Sequence, residues 1–389
     1  MLFQGRMWTP NILGDVRHVG LWHKLGDPAR THRAWLEAPD AVVGKHVQWI
    51  IGVGMEMIGC EISSFDDPEQ YQTAIRSAEI EIYPTAAGDF RAELTKVDFE
   101  RLWMQRGCES LPRIRIGKVN PNRVSIYFLV NSNEAPFWHC GVEVSPGDII
   151  VDNSDSVHRK TRAPCHWGVL SLAREDLATS GSELAGHDLS MPRATSVIKS
   201  APALVSRLLS LHEQAAQLAR TAPSTLAMPE VSRALEQALI LAMIRCLTDG
   251  TSAKMSVSAR RQSKVIARLE EFLAANQDRS VYLAEICAAV GVSERALRSC
   301  CEEHLGIAPI KYLWLRRMHL ARRALKRANV IETTVTHIAT QFGFCELGRF
   351  SVEYRALFGE PPSRTLHRPP DDRLALQNRP FALPAFQVS

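Results

Sequence analysis

The stretch GFCELGRFSVEYRALFGEPP, residues 343–362, decides the reading of this chain. A short polar turn opens a run whose apolar residues fall on one side of a helix, and Gly-Glu-Pro-Pro closes it. An imperfect copy of the phrase lies upstream, ICAAVGVSERALRSCCEEHLGIAP at 286–309. Ile286 matches Ile338, Ala288 matches Thr340 and Gly291 matches Gly343 at an offset of 52. Past the turn Leu297 matches Phe350, Cys301 matches Tyr354 and Gly306 matches Gly359 at an offset of 53. One unit is therefore duplicated, with an extra residue in its second turn, and two copies are too few for a stacked solenoid.

Each copy follows helix-turn-helix grammar. The short first helix, YLAEICAAV or THIATQF, carries Ala284 and Ala288 or Ala339, small enough for close crossing by the next helix. A glycine then supplies the positive φ of a tight turn. Ser293 is placed to cap the second helix of the first copy, whereas Cys345 and Glu346 give the second copy a weaker cap. Leu297/Cys301 and Phe350/Tyr354, each pair four residues apart, predict the buried sides. Arg295, Arg298 and Ser299 are left facing outward on one helix. Glu346, Leu347, Gly348 and Arg349, with Ser351 and Val352, are left on the other.

Between the copies runs PIKYLWLRRMHLARRALKR (309–327). Leu315, Met318, Ala321 and Leu325 follow a three/four spacing, and Pro309 suits a first helical turn. Arg316, Arg322, Arg323, Lys326 and Arg327 fall on the opposite faces. Such a connecting helix would fix the separation of two recognition helices. A recognition helix reads base edges in the major groove, Arg bonding two acceptors of guanine, while flanking Lys and Arg neutralise phosphates. Two of them on one chain would enter successive major-groove segments of double-stranded DNA about 34 Å apart. A plain helical hairpin is the bland alternative for either copy alone. Duplication, the basic connecting helix and the outward arginines together favour DNA.

At these residues the sequence resembles the AraC/XylS family of bacterial transcription regulators. The resemblance covers about 264–368 and rests on Arg-Met-x-Leu-Ala-x-x-Ala-Leu at 317–325 and Gly-Phe…Phe-x-x-x-Tyr…Phe-Gly-x-x-Pro at 343–362. It implies two helix-turn-helix subdomains joined by a helix, activation of transcription beside RNA polymerase, and a small-molecule effector. The positions that match its DNA-binding sites are Ser293, Arg295, Arg298 and Ser299 in the first unit and Leu347, Gly348, Arg349 and Val352 in the second. In the second set only Arg349 is equipped to read a base directly. The phrase GFCELGRFSVEYRALFGEPPSRTLH is similar to the ethanolamine-utilisation regulator branch, which implies an amine or related metabolite as effector.

Charge is distributed to match. The chain has 389 residues and a formal net charge of +4, yet Arg260–Arg368 holds 18 Lys and Arg against 11 Asp and Glu. The rest of the chain is net acidic, so the C-terminal third is the part suited to a polyanion. Nine cysteines without a CxxC pattern point to reduced thiols and a cytoplasmic setting. No secretory signal pattern is read at the start. The apolar run 41–59 is interrupted by Lys45, His46 and Gln48, against a membrane span.

The fold class expected is α+β and multidomain: an N-terminal cupin-like β domain with flanking helices, then an all-α domain of two helix-turn-helix units joined by a helix. Residues 1–55 are an extension without clear placement. Residues 56–178 carry EIEIYP, DFRAELTKVDF, RIRIG, RVSIYFLV, VEVSPGDIIVD and WGVLSL, short strands separated by turn signals, and form the effector domain. Residues 195–249 are helical, for packing or for a homodimer contact; 250–263 are a linker; 264–368 bind DNA; 369–389 are a loose tail.

SPGDIIVDNSDSVH, with a His ten residues after Asp148, resembles a second cupin motif. The first, His-x-His with a later Glu, is missing. His139, His158 and His166 lack ligand spacing, so hydrogen-bonding roles are favoured over metal, and no metal, cofactor or catalytic residue is assigned. Trp103, Phe128, Phe137, Trp138 and Trp167 either line an apolar cavity or fill a core. The candidate effector set is Trp103, Phe128, Trp138, His139 and His158. A sequence-specific DNA-binding regulator, activating in response to a small molecule, is thus the leading expectation. The alternatives are a cupin-type metalloenzyme with an accessory DNA-binding domain, or a partner protein using the repeat for protein contacts.

Overall fold

A computed structural model describes residues 59–76, 79–152, 156–185, 195–254, 256–277, 279 and 281–368. The extension at 1–55 and the tail at 369–389 lie outside the described residues. The β region comprises β1 (Gly59–Phe65), α1 (Pro68–Ala74), β2 (Glu79–Pro84), β3 (Ala92–Asp98), β4 (Trp103–Glu109), β5 (Arg113–Lys118), β6 (Arg123–Leu129), β7 (Phe137–His139), β8 (Val142–Val144), β9 (Asp148–Asp152), β10 (Ser156–Lys160) and β11 (Cys165–Ala173). Then follow α2 (Arg174–Ala185), β12 (Ser196–Lys199), α3 (Pro202–Thr221), α4 (Pro223–Leu226), α5 (Pro229–Thr248) and β13 (Thr251–Lys254). The C-terminal helices are α6 (Val257–Ala275), α7 (Leu283–Val290), α8 (Glu294–His304), α9 (Pro309–Arg327), α10 (Val335–Gln341), α11 (Leu347–Phe358) and α12 (Pro362–Leu366).

Among the described residues the strands form two antiparallel sheets, ordered β1-β3-β4-β11-β6-β9-β12-β13 and β2-β5-β10-β7-β8. Alternation along the strands assigns their faces. On β6, Tyr127 and Leu129 join the apolar cluster of Phe65, Tyr71, Ile82, Phe137 and Trp167 between the sheets. Ile126 and Phe128 turn the other way, into a cluster with Leu208, Leu211, Leu239 and Met243 of α3 and α5. The two long helices therefore cover the outer face of the larger sheet. On β5, Ile114 and Ile116 point away from the interior and join Val265, Ile266, Leu269 and Leu297 of the helical domain.

Two expectations are corrected. Ser196–Lys199 is not helical but a strand, pairing Val197 with Ile150 of β9 and with Ala253 of β13. Its β-branched pair Val197 and Ile198 is buried on both faces, a setting that masks the period-2 signal. The linker expected at 250–263 is instead β13 followed by the first turns of α6, where Ser256 accepts from the Ala259 amide and caps the helix. Small polar residues fitted a linker by composition, but Ser256 is an N-cap and the strand is recruited by pairing.

Candidate nucleic-acid interface and domain contact

The duplicated unit folds as its sequence dictates. Gly291 (φ 76°) and Gly343 (φ 78°) both take the left-handed conformation in the turn between helices, which a side chain would strain. The Ser293 hydroxyl accepts from the Ala296 amide at 3.3 Å, capping α8. α11 begins at Glu346 without a side-chain cap, while the Thr334 hydroxyl caps α10 by accepting from the His337 amide at 3.1 Å. Leu297 and Cys301 in α8, like Phe350 and Tyr354 in α11, are fully buried. The extra turn residue in the second unit lets Phe344 tuck in beside Phe350, ring centroids 4.7 Å apart.

The outward faces differ in chemistry. Ser293, Arg295, Arg298 and Ser299 are all exposed along α8. Among the described residues no carboxylate pairs with Arg295 or Arg298. On α11, Gly348, Arg349 and Val352 are exposed and Leu347 is half-buried. Arg349 Nε donates to Glu353 Oε1 at 2.8 Å, one turn along the same helix, and Glu353 also accepts from Trp314 Nε1 at 2.7 Å. Arg349 is thus already partnered, and Val352, 70% exposed, offers only an apolar contact. The first unit carries the free hydrogen-bonding groups.

The basic face expected of α9 is spent inside the chain. Arg316 is buried, its Nε donating to the Tyr83 hydroxyl at 3.2 Å and its Nη2 lying 3.5 Å from Glu81. Arg323 reaches Glu81 at 3.7 Å and Gln72 at 3.2 Å, Lys326 pairs with Asp67 at 3.0 Å, and Arg327 pairs with Glu69. His319 Nε2 donates to the Pro84 carbonyl at 3.1 Å. Spacing alone showed a basic helix; it could not show that α1 and β2 bring acids to it. Arg322, the fifth, lies over the Phe358 ring, 4.6 Å from its centre.

A second contact joins β10 to the end of α8. His158 Nε2 and His304 Nδ1 are 2.6 Å apart, both rings buried. The Gln262 amide donates to Glu303, so its oxygen, 3.3 Å away, accepts from His304 Nε2. His304 Nδ1 is then the acceptor and His158 Nε2 the donor, a neutral pair. Burial, chiefly, pushes His304 down to about 4 and His158 well below its usual value. Lys160 Nζ donates to the Glu303 carbonyl at 3.1 Å, satisfying the C-terminal end of α8. Between β2, β5 and α6 lies a cleft of about 700 Å³ bordered by Ile80, Gly117, Glu270 and Arg316. Burial pushes the Glu270 carboxyl up to about 7.

The five candidate effector residues are not brought together, and none borders that cleft. Trp103 is stacked between Arg76 (4.4 Å) and Arg123 (3.6 Å), and Trp138 between Lys160 (4.9 Å) and Arg162 (4.3 Å). Phe128 faces α3, edge-on to His212. His139 Nε2 lies 2.7 Å from Asp152 Oδ1, and its Nδ1 accepts from Arg159 Nε at 2.9 Å. Of the aromatic residues singled out in the sequence, Phe137 and Trp167 alone share the cluster between the sheets. Among the described residues no three His, Cys, Asp or Glu side chains are grouped to hold a metal, and no helix is long and apolar enough to cross a membrane.

Comparison with known proteins places the helical domain. Residues 286–368 match the family model described as "Helix-turn-helix domain". The chain is 34% identical over 99 residues to the XylDLEGF operon transcriptional activator 2 of Pseudomonas putida, covering 25% of this chain and 63% of that protein. It is 30% identical over 149 residues to the probable thc operon regulatory protein of Rhodococcus erythropolis, covering 38% and 45%. The chain thus spans less than two thirds of the length of these curated relatives. Among solved structures, the AraC-like transcriptional activator CuxR aligns at 16% identity over 64% of this chain and 89% of that one, with a TM-score of 0.32. Residues 286–368 therefore form a helix-turn-helix domain.

Proposed function

We propose that the protein is a sequence-specific DNA-binding transcription regulator, acting as an activator, whose helices α8 and α11 enter successive major-groove segments of double-stranded DNA. The observation that carries this is the outer face of α8, where Ser293, Arg295, Arg298 and Ser299 stand exposed on a capped helix within the helix-turn-helix domain. Leu347, Gly348, Arg349 and Val352 supply the second contact, weighted toward shape and backbone, since Arg349 is held by Glu353. RNA polymerase is the partner that activation implies.

The β domain is the effector domain in this proposal. Its two facing antiparallel sheets fit the cupin-like expectation, and its outer face is continuous with the core of the first helix-turn-helix unit. An effector held between the sheets would change β2, β5 or β10 and so change how α8 and α9 are seated. The names of relatives fit: the Pseudomonas and Rhodococcus proteins are named for the operons they regulate.

The test is selection of binding sites from random duplexes with the full-length chain. A defined motif of two half-sites about 10 base pairs apart is expected. Arg298→Ala should weaken specific binding by about 1–3 kcal/mol and relax preference at one position. Enrichment of no motif, or the same motif and affinity for the variant, refutes the assignment.

A further inference from the structure

Of the four α11 positions proposed to face DNA, Arg349 alone has side-chain donors to offer a base edge, and its neighbours restrict how it can offer them. It stands in the first turn of α11. A cation there meets the positive end of the helix dipole, and an arginine placed N-terminal to its glutamate is the weaker order for a pair four residues apart. Helix stability alone therefore does not account for the pairing of Arg349 with Glu353.

The carboxylate is used at both oxygens. Glu353 Oε1 accepts from Arg349 Nε at 2.8 Å, and Oε2 accepts from Trp314 Nε1 at 2.7 Å. An unencumbered carboxylate tends to take an arginine as a fork, on two N–H groups at once. Here the indole occupies the oxygen that the second prong would need. The guanidinium is met through Nε alone, and among the described residues no carboxylate pairs with Nη1 or Nη2. Held is not used up: a guanidinium has five N–H donors and this pair takes one. The Arg349 side chain is 70% exposed and that of Glu353 28%, so the clamp sits at the protein surface with the arginine outermost.

Trp314 is itself fixed. It belongs to α9 and packs against the cores of both units, the cluster of Leu297 and Cys301 and the cluster of Phe350 and Tyr354. Lys311 Nζ lies 3.6 Å from the centre of its ring. The hydrogen bond from Arg349, then that from Trp314 and the nearby Lys311, hold the Glu353 carboxyl below its usual value, so it is ionised at neutral pH.

We infer that Glu353 and Trp314 are positioning residues for base readout: they hold Arg349 by Nε so that Nη1 and Nη2 together take the O6 and N7 acceptors of one guanine in the second half-site. Because the indole is seated where the two units meet, the aim of this arginine is referred to the connecting helix and not to α11 alone. This rests on the DNA-binding proposal above and names a base and the residues that orient its reader.

The experiment is binding-site selection with the full-length chain and its variants. Titrations then follow with the selected duplex, with duplexes changed at single positions, and with a random duplex. The wild type should select guanine at one position of the second half-site, and Arg349→Ala should lose that preference and no other. Glu353→Ala should lower discrimination for that guanine about tenfold, yet bind random duplex at least as well as wild type, because a negative charge near the phosphates is gone. Trp314→Phe, which keeps a ring but leaves Oε2 open to the fork, should show the same loss of discrimination. Added to Arg349→Ala, Glu353→Ala should change the preference no further. A contact that merely ties α9 to α11 would instead lower Tm and weaken binding to every sequence alike. That result overturns the inference, as does a guanine preference unchanged in Glu353→Ala and Trp314→Phe, or a second half-site with no guanine that depends on Arg349. Selection of no motif by the wild type sinks the regulator as well, whereas a two-part motif indifferent to Glu353 sinks only the positioning.

Discussion

Gly348 is the residue on which the proposed interface is most sharply testable. It sits in the first turn of α11 with an ordinary helical backbone, and a methyl group built on it meets nothing within 4 Å. Nothing inside the protein requires a glycine there, and a helix favours alanine over it. Gly348→Ala should therefore stabilise the protein by about 0.5–1 kcal/mol, measurable in urea. The same variant should bind its selected DNA site more weakly, because the bare backbone is then useful only for close approach to a groove. Higher stability with unchanged affinity would remove Gly348 from the interface. Arg298 and Gly348 were both visible in the sequence as outward positions, because four-residue spacing from Leu297 and Phe350 settles which side of each helix is buried. The part played by Trp314 was not visible. In KYLWLRRM it is one apolar residue among several at helical spacing, and only the packing of α9 against α11 brings its indole to Glu353.

At the scale of the element, α9 shows how far helical periodicity reaches. The positions of Leu315, Met318, Ala321 and Leu325 fixed its buried stripe, and all four are buried. The same periodicity put five cations on the other faces but gave no hint that four of them meet acids at β2 and at the start of α1, between 235 and 259 residues earlier in the chain. These cations are not equivalent. The Arg316 side chain is 5% exposed and works against Tyr83 and Glu81, whereas that of Arg327 is 74% exposed. Arg316→Met should cost about 3 kcal/mol, since it strands the buried Tyr83 and Glu270 beside it. Arg327→Ala should cost less than about 1 kcal/mol. Equal costs in denaturant titrations would show that the docking of α9 on β2 does not hold in solution.

For the whole molecule, the decisive feature is that the β domain and the helix-turn-helix domain meet through histidines that burial at the contact holds neutral. His304 is lowered to about 4 and His319 to about 3, both mainly by burial. A histidine whose folded value is depressed binds its proton first in the released state. Its contribution is therefore complete above about pH 6.5 and is lost as pH falls toward 4. Glu270, raised to about 7 by burial, works the other way over part of the same range. A comparison isolates the histidine: between pH 7 and pH 5, Tm should fall more steeply for the wild type than for His304→Asn. Parallel curves would mean that the His158–His304 contact does not report docking. The multidomain plan was readable from the sequence because strand alternation and helical spacing are local signals. The boundary was not, since β13 and the first turns of α6 occupy what composition marked as a linker.

The two halves of the duplicated repeat also stand in unequal positions for evolution. The core of the first half is completed by Tyr83, Ile114 and Ile116 of the β domain, while the buried core of the second is drawn entirely from residues 318–366. The second half can therefore be exchanged for a relative's as a cassette, its side chains answering mainly to one another. The first cannot be replaced without matching changes on β2 and β5. A lineage that needs new DNA specificity can alter α11 cheaply, whereas alteration of the packed side of α8 draws the β domain along with it.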